Sequence, residues 1–234
     1  MRKLSYTLLI ASVFMIAFIG CSKKQAAKKD KSQQQNNSMT AESTSNMSMG
    51  KDSLSAKLYP IRNKSNPFVT MVTDYGNMTL ELYHDVAPVT VDSFLARTKD
   101  GFYNGTIFHR IIDNVMIQGG DPKGTGMGNA GYFLKAEFSD LPHQEGTLSM
   151  ARGSDPNSAS CQFFICLARN NATKYFDKKY TIFGQLIKGF DVLHKIGSVK
   201  CIPNPYDPRE VSKPEKDVYL RKVYISDADG NELK

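Results

Sequence analysis

The feature that most constrains the fold is a series of short apolar runs between Phe68 and Ile225, separated by turn-forming residues. Runs of about four to eight residues with alternating or continuous apolar character are typical of β-strands. The clearest are PFVTMVT, NMTLELY, GTLSMAR, CQFFICLA, YTIFGQLI and VYLRKVYI. Many short strands with few helices predict a mainly β domain, either a barrel or a sandwich with helices at its ends.

Only two segments have a helical pattern. In APVTVDSFLARTKDG, Pro88 lies near the predicted start, and Val91, Phe94 and Leu95 follow the i, i+3, i+4 spacing of a helix face. Gly101 stands where a glycine commonly ends a helix. The second predicted helix is the shorter segment GFDVLHKIG.

The segment SVKCIPNPYDPREVSKPEK, residues 198–216, carries four prolines. Proline removes a backbone donor and fixes φ, so this composition predicts a long irregular loop. Loops of this length are uncommon inside a domain, and we interpret the segment as a surface insertion.

The first 20 residues have a cationic start, an apolar run and small residues before Cys21, which is the pattern of an export signal. Their end, FIGC, is similar to the bacterial lipobox, in which the cysteine is lipidated, although Phe18 replaces the usual leucine. We predict a lipoprotein signal peptide at 1–20 and lipidation, as by palmitate, at Cys21. The anchor would hold the protein on a membrane of the bacterial cell envelope, with its domain outside the cytoplasm. The alternative is an ordinary secretory signal with an incidental cysteine.

Residues 21–57 are rich in Ser, Gln, Asn and Lys, a composition that cannot offset the entropy of ordering. We predict a disordered polar tether there, followed by one folded domain at 58–234. The net charge of +7 is concentrated before residue 58, and acidic and basic residues nearly balance after it. Nucleic-acid binding needs a basic face on the domain itself, so nucleic acid is not an expected partner.

Besides Cys21 the chain contains Cys161, Cys166 and Cys201, an odd number that permits no complete set of disulfides. Their spacing fits no zinc motif, and the four histidines are scattered along the sequence. We therefore expect no metal site.

The segment FHRIIDNVMIQGGD reads as an apolar hairpin, yet it contains Arg110 and Gln118, residue types that are rarely buried. If residues 113–115 form the turn, Arg110 lies opposite Gln118 and Ile112 lies opposite Met116. Directly opposed side chains are about 5 Å apart on one face of a sheet. In CQFFIC the alternation places Gln162 with Phe164 on one face, and the two flanking apolar residues on the other.

These motifs, together with GTG, LSMAR and FDKKYTIFG, resemble those of the cyclophilin family of peptidyl-prolyl cis-trans isomerases, over a range from about Phe68 to Ile225. The resemblance implies an eight-stranded antiparallel β-barrel capped by two helices. It also implies an enzyme that acts on proline-containing polypeptides. The family needs no cofactor.

The resemblance implies roles for individual residues. Arg110 matches the catalytic arginine and Gln118 the glutamine beside it. The other positions match parts of the substrate groove, and they are Val115, Met116, Gly124, Ala151, Arg152, Gln162, Phe164, Phe176 and Tyr180.

Several positions depart from the family pattern. Val115 replaces the usual phenylalanine, which opens the pocket, and Arg152 and Tyr180 replace an asparagine and a histidine. The chain has no tryptophan, and Tyr175 or Phe176 falls near the place of the tryptophan in cyclosporin-sensitive members. We expect weak cyclosporin binding.

Two functions of different classes follow. The first is a monomeric, lipid-tethered isomerase that assists the folding of exported proteins. The second is a binding module that holds proline-containing segments with little or no turnover, an alternative that the loosened pocket at Val115 favours. The set Arg110, Gln118, Gln162 and Phe164 favours the enzyme.

Overall fold

The computed structural model describes residues 61–234. The predicted signal peptide, Cys21 and the tether lie outside the described residues, as do residues 58–60 of the predicted domain. Among the described residues, no helix combines the length and the apolar character that crossing a membrane requires.

The domain is built mainly from antiparallel strands. The strands of residues 61–234 are β1 (Phe68–Thr73), β2 (Gly76–Leu82), β3 (Thr106–Ile107), β4 (Arg110–Ile112), β5 (Met116–Gly119), β6 (Thr147–Met150), β7 (Phe163–Cys166), β8 (Ile182–Lys188), β9 (Cys201–Asn204), β10 (Asp207–Pro214) and β11 (Tyr219–Ser226). Nine of them form one sheet in the order β3-β11-β1-β2-β8-β6-β7-β5-β4, and β9 pairs with β10 in a second sheet.

The large sheet curls back on itself. Its two edge strands, β3 and β4, are separated only by Phe108 and His109, so one chain segment stands at both edges of the sheet. An isolated bridge between Ile107 and Asp121 joins β3 to the residues just after β5. The predicted mainly β, antiparallel barrel fold is confirmed as a curled sheet, which has nine strands where eight were expected because this one segment contributes two short strands.

In the described part of the chain, three helices accompany the sheet, α1 (Pro88–Lys99), α2 (Asn171–Phe176) and α3 (Phe190–Gly197). The first and third are the two predicted helices, and Gly101 follows α1 with φ at 68°, as a helix-ending glycine should. The second was not predicted, because its six residues are too few to show a helical period. Asn170 caps it by accepting from the N–H groups of Ala172 and Thr173.

The strands next to the predicted site have two apolar faces. Phe163 and Ile165 point inward and are fully buried in the main core. Their neighbours Phe164 and Cys166 point to the other face, where they form a second, smaller cluster with Met116. The alternation predicted for CQFFIC is therefore confirmed.

The prediction of an irregular loop at 198–216 is wrong, because β9 and β10 form a hairpin there, turning at Pro205 and Tyr206. A two-stranded sheet consists only of edge strands, and edge strands tolerate proline where no N–H donor is needed. Its register shifts on both sides of Val211, which marks an irregular pairing. β10 packs against β4, so the hairpin lies beside Arg110.

Candidate active site

Arg110 on β4 and Gln118 on β5 are direct cross-strand partners, and the register predicted from the sequence is confirmed. The turn between them contains Asn114 at φ 57°, a left-handed conformation that asparagine adopts more readily than most residues. On the other side of β5, Phe164 lies opposite Gln118. One outer face of three neighbouring strands thus carries a guanidinium, an amide and an aromatic ring.

A chain of hydrogen bonds orients this face. Gln162 donates from Nε2 to the carbonyls of Gly126 at 3.0 Å and Gly128 at 2.8 Å. Its own Oε1 accepts from Gln118 Nε2 at 3.0 Å, and Gln118 Oε1 accepts from Arg110 Nη1 at 3.2 Å. Because the loop carbonyls can only accept, they determine which way both amides point. The outcome is that Gln118 presents its oxygen to Arg110.

The loop that supplies these carbonyls is organised by Asp121, which was not singled out from the sequence. Its buried carboxylate accepts from four backbone N–H groups, those of Lys123, Thr125, Gly126 and Gly128. Burial acts to raise the pKa of Asp121, but these bonds outweigh it and hold the pKa below its ordinary value. Position 128 requires glycine, since a β-carbon there would overlap this carboxylate.

The apolar part of the site is the second cluster. Phe164 meets Phe176 and Tyr180 edge-on, with ring centroids 5.4 and 5.7 Å apart. Met116 is buried against them, and Val115 lies at the margin, partly exposed. Such a surface of rings and a thioether suits a proline ring, which is apolar and carries no donor.

Ala151 and Arg152 follow β6 and form one side of the same region. The Ala151 N–H donates to the carbonyl of Gln162 at 2.9 Å, which ties this segment to β7. The Arg152 guanidinium lies 4.6 Å above the Tyr180 ring and donates twice to the Lys179 carbonyl, at 3.1 and 2.8 Å. Its side chain therefore braces the pocket wall.

Two further predicted positions are placed less centrally. Gly124 lies in the Asp121 loop at φ 64°, and a β-carbon at this position would meet the side chain of Ile107 on β3. Of the two candidates near the family's tryptophan position, Phe176 joins the aromatic cluster, whereas Tyr175 is exposed.

Glu210 on β10 is a partner of Arg110 that the sequence did not reveal. Its Oε1 accepts from Arg110 Nε at 2.7 Å and its Oε2 accepts from Nη2 at 2.6 Å. Partial burial acts to raise the pKa of Glu210, but hydrogen bonds from Arg110 and Ser212 outweigh it and hold the pKa below its ordinary value. The two residues are 100 positions apart, so no local pattern could have linked them.

A second polar group near the pocket has the outline of a nucleophilic triad. His143 lies 3.1 Å from Asp177 through Nδ1 and 3.1 Å from the Ser149 hydroxyl through Nε2. However, Ser149 is fully buried and donates to the Thr181 carbonyl at 2.8 Å, so no substrate can reach it. Burial lowers the pKa of His143, and its ring stacks on Phe164. This group supports the pocket floor.

Within residues 61–234, no group of three or more His, Cys, Asp or Glu side chains is placed to hold a metal ion. What the site offers is a fixed cationic donor beside an apolar cluster. Such a pair can act on an amide by hydrogen bonding and desolvation alone, with no covalent step.

The family model of the cyclophilin type peptidyl-prolyl cis-trans isomerase/CLD matches residues 68–225. A peptidyl-prolyl cis-trans isomerase of Acinetobacter baylyi is 46% identical over 140 residues, 58% of this chain and 74% of that one. A Streptococcus pyogenes protein named as a bifunctional phosphatase/peptidyl-prolyl cis-trans isomerase is 38% identical over 197 residues, 71% of this chain. The chain spans only 40% of that relative's length.

A solved structure is also similar. The crystal structure of a cyclophilin type peptidyl-prolyl cis-trans isomerase of Cryptosporidium parvum aligns with a TM-score of 0.61 and 32% identity, covering 69% of this chain and 98% of its own. Its fold agrees with the curled antiparallel sheet described above. The chain therefore belongs to the cyclophilin family of peptidyl-prolyl cis-trans isomerases.

Proposed function

We propose that Arg110 is the catalytic residue of this isomerase and that it donates a hydrogen bond to the proline nitrogen as the peptide bond twists. The observation that carries this proposal is the position of its guanidinium, bonded to Gln118 on the strand face that also holds the Met116 and Phe164 cluster. A proline ring seated on the cluster would bring its nitrogen near the arginine.

The chemistry needs only a bias toward the twisted amide. The planar X-Pro bond is held by a barrier of roughly 18–20 kcal/mol, because the nitrogen lone pair is conjugated with the carbonyl. A donor aimed at that nitrogen stabilises the lone pair once it leaves conjugation, and each 1.36 kcal/mol removed from the barrier is about tenfold in rate. The fixed orientation of Gln118 keeps the donor in place, so little reorganisation is needed during the reaction.

We further propose that the protein is the lipid-anchored form of the enzyme and that it assists the folding of exported proteins. The support is sequence-based, namely the signal-like residues 1–20, the lipobox-like FIGC ending at Cys21, and the polar segment 21–57. A tether of that length would leave the domain free to meet chains that emerge at the membrane. The proposed location is the bacterial cell envelope, with the domain outside the cytoplasm.

The anchor is tested by expressing the full chain and the Cys21→Ser variant in bacteria fed with radiolabelled palmitate. We expect label and membrane association in the wild type, and neither in the variant. Cys201→Ser serves as the matched control and should retain both. A wild-type protein that is exported but carries no label would support the ordinary secretory signal instead.

The second candidate function is a module that binds proline-containing segments with little turnover. Val115, at the margin of the cluster, favours it, because a smaller side chain grips the ring less closely. Exchange spectroscopy on an Ala-Pro peptide separates the two functions. Exchange between cis and trans at catalytic amounts of protein supports the enzyme, whereas peptide shifts without accelerated exchange would support the binding module.

Two smaller proposals accompany this function. We propose that the protein acts as a monomer, which sedimentation of the detergent-solubilised chain tests. We also propose weak cyclosporin binding, because no tryptophan is available and Tyr175 is exposed away from the cluster. Titration calorimetry would contradict this with a dissociation constant in the nanomolar range.

A further inference from the structure

The hairpin formed by β9 and β10 delivers a carboxylate to the proposed catalytic arginine. Glu210 engages Arg110 through both carboxylate oxygens, at 2.7 and 2.6 Å, in a side-on pair with Nε and Nη2. Bidentate pairs of this kind fix the plane of the guanidinium as well as its position. The two side chains are 31% and 29% exposed, so the pair lies at the surface of the groove with partial protection from water.

Glu210 is itself held in place by the hairpin. The hydroxyl of Ser212, a buried residue on the same strand, donates to Glu210 Oε1 at 2.5 Å. Asn204, on the facing strand β9, donates to the Ser212 hydroxyl at 3.3 Å. The carboxylate is thus oriented by contacts that do not involve Arg110.

The neighbouring charges do not compete for this carboxylate in the contacts that the structure shows. Arg209 precedes Glu210 and pairs with Asp207, Nε to Oδ1 at 2.9 Å. Lys200 and Glu215, at the base of the hairpin, pair with each other at 2.7 Å. Among these charged residues, Glu210 is the one that bonds to β4.

The donors of Arg110 can be counted. A guanidinium has five N–H donors in one plane. Glu210 takes one on Nε and one on Nη2, and Gln118 takes one on Nη1. One hydrogen on Nη1 and one on Nη2 remain outside these three contacts.

We propose that Glu210 is a positioning residue for the isomerase reaction. It holds the side-on edge of Arg110, with Gln118 as the second restraint, so that the two remaining N–H donors are presented to the substrate amide. This inference rests on the proposed function of Arg110. It gives the 198–216 segment a role in catalysis, because the hairpin of β9 and β10 adds a residue to a site otherwise formed on the nine-stranded sheet.

The alternative role for Glu210 is inhibition of the enzyme, and it predicts the opposite effect of the Glu210 substitution on the rate. A carboxylate that occupied the donors needed by the substrate would inhibit the enzyme, and its removal would raise the rate. The donor count argues for positioning, because the pair leaves two N–H groups outside its contacts. The kinetic effect of removing the charge decides between the two roles.

The test compares Glu210→Gln with Glu215→Gln, both in the full chain. Each variant removes one ion-paired glutamate charge from the same hairpin region, and only the first touches Arg110. We expect kcat on an Ala-Pro peptide to fall about ten- to a hundredfold in Glu210→Gln, the scale of a small misplacement of a catalytic group. KM should hardly change, since the apolar cluster is intact, and Glu215→Gln should match the wild type.

A spectroscopic measurement keeps the proposal falsifiable if the variant folds poorly. In the wild type, the Arg110 Nε–H signal, assigned by its loss in Arg110→Lys, should be resolved and slow to exchange with water. An Nε–H that exchanges as fast as those of solvated arginines overturns the proposal. So does a Glu210→Gln variant that is as fast as, or faster than, the wild type. If Arg110→Ala is itself fully active, the proposed function fails, and this result is distinct from a failure of the Glu210 proposal alone.

Discussion

Arg110 Nη1 lies 3.2 Å from Gln118 Oε1, and the amide of Gln118 is turned toward the arginine by a bond from its Nε2 to Gln162. The orientation of one amide is thus set by the next, back to the carbonyls of a glycine-rich loop. On this side Arg110 meets a neutral acceptor, and its anionic partner is Glu210 on the other edge of the guanidinium. The pair of Arg110 and Gln118 explains why two polar residues interrupt an otherwise apolar hairpin.

The amide chain predicts a loss of rate in Gln162→Glu. A carboxylate can still accept from Gln118, but it cannot donate to the carbonyls of Gly126 and Gly128, so the loop and the side chain would separate. We expect kcat to fall about tenfold, the scale of one unsatisfied hydrogen bond near a catalytic group. Asn129→Asp, an amide-to-acid change in the same loop whose oxygen only accepts from Gly131, is the control. Equal rates for the two variants would contradict the orienting role.

The open margin of the pocket predicts a gain in Val115→Phe. An added ring could contact the cluster of Phe164 and Phe176. An aromatic pair contributes about 0.5–1.5 kcal/mol of stabilisation in addition to the effect of the apolar area that it buries. We expect kcat/KM for an Ala-Pro peptide to rise about two- to tenfold. Val89→Phe adds the same ring at an exposed position on α1 and should have no effect. A decrease in Val115→Phe would show that the smaller residue is needed.

The polar group of His143, Asp177 and Ser149 beneath the pocket predicts that the fold becomes less stable in acid. Partial burial acts to raise the pKa of Asp177, but bonds from Arg169 and His143 outweigh it and lower the pKa to about 2. The pKa of Asp177 is lower in the folded protein than its unfolded value of 3.8, so the carboxylate stabilises the fold above pH 3.8. This contribution is lost as the pH falls from 3.8 toward 2. It amounts to about 2 kcal/mol at neutral pH.

Urea unfolding of the wild type and Asp177→Asn at pH 7 and at pH 3 measures this contribution. We expect the variant to be less stable at pH 7 and the difference to shrink at pH 3. Asp140→Asn removes a fully exposed partner of Lys178 and should not measurably change the free energy of unfolding at either pH. A difference between wild type and Asp177→Asn that does not depend on pH would contradict the assignment.

His143 adds a second pH dependence of the same sign. Burial lowers its pKa below 6.5, so the folded state binds fewer protons than the unfolded chain as pH falls below that value. Stability should therefore decrease from neutral pH downward, before Asp177 begins to titrate. His143→Asn would flatten this first part of the curve, and an unchanged slope between pH 7 and 5 would contradict the account.

The buried thiols are expected to be inert. Burial raises the pKa of Cys161 to about 11 and that of Cys166 to about 12, so little reactive thiolate exists at pH 8. We expect iodoacetamide to label both only after unfolding, as read by peptide mass spectrometry. Rapid labelling of Cys161 in the native protein would show that it is a redox-accessible thiol beside Gln162.

Much of the site could be predicted because its signals are local. The cross-strand pairing of Arg110 with Gln118 follows from the turn position, and the faces of Phe163 and Phe164 follow from the two-residue period of a strand. The first helix follows from its spacing and from Gly101. Each of these predictions depends on residues that are close together in the sequence, within one helix, one strand or one hairpin.

The remainder depends on contacts that sequence spacing does not encode. Asp121 carries no motif that marks it as the organiser of a loop, although a carboxylate directly before a glycine-rich stretch is a usable signal. Glu210 could not be found, because its segment reads as irregular on account of its prolines and its partner lies on a distant strand. The hairpin becomes evident only once β10 is placed against β4.

The most direct test of the account is the isomerisation rate of a short Ala-Pro peptide with the wild-type chain and with Arg110→Ala. The matched control is Arg221→Ala, which removes an arginine on β11 that pairs with Asp74. We predict clear acceleration by the wild type and the control, and a loss of about a hundredfold or more in Arg110→Ala, as for removal of a donor that acts on the transition state. Acceleration by Arg110→Ala equal to that of the wild type would contradict the central claim.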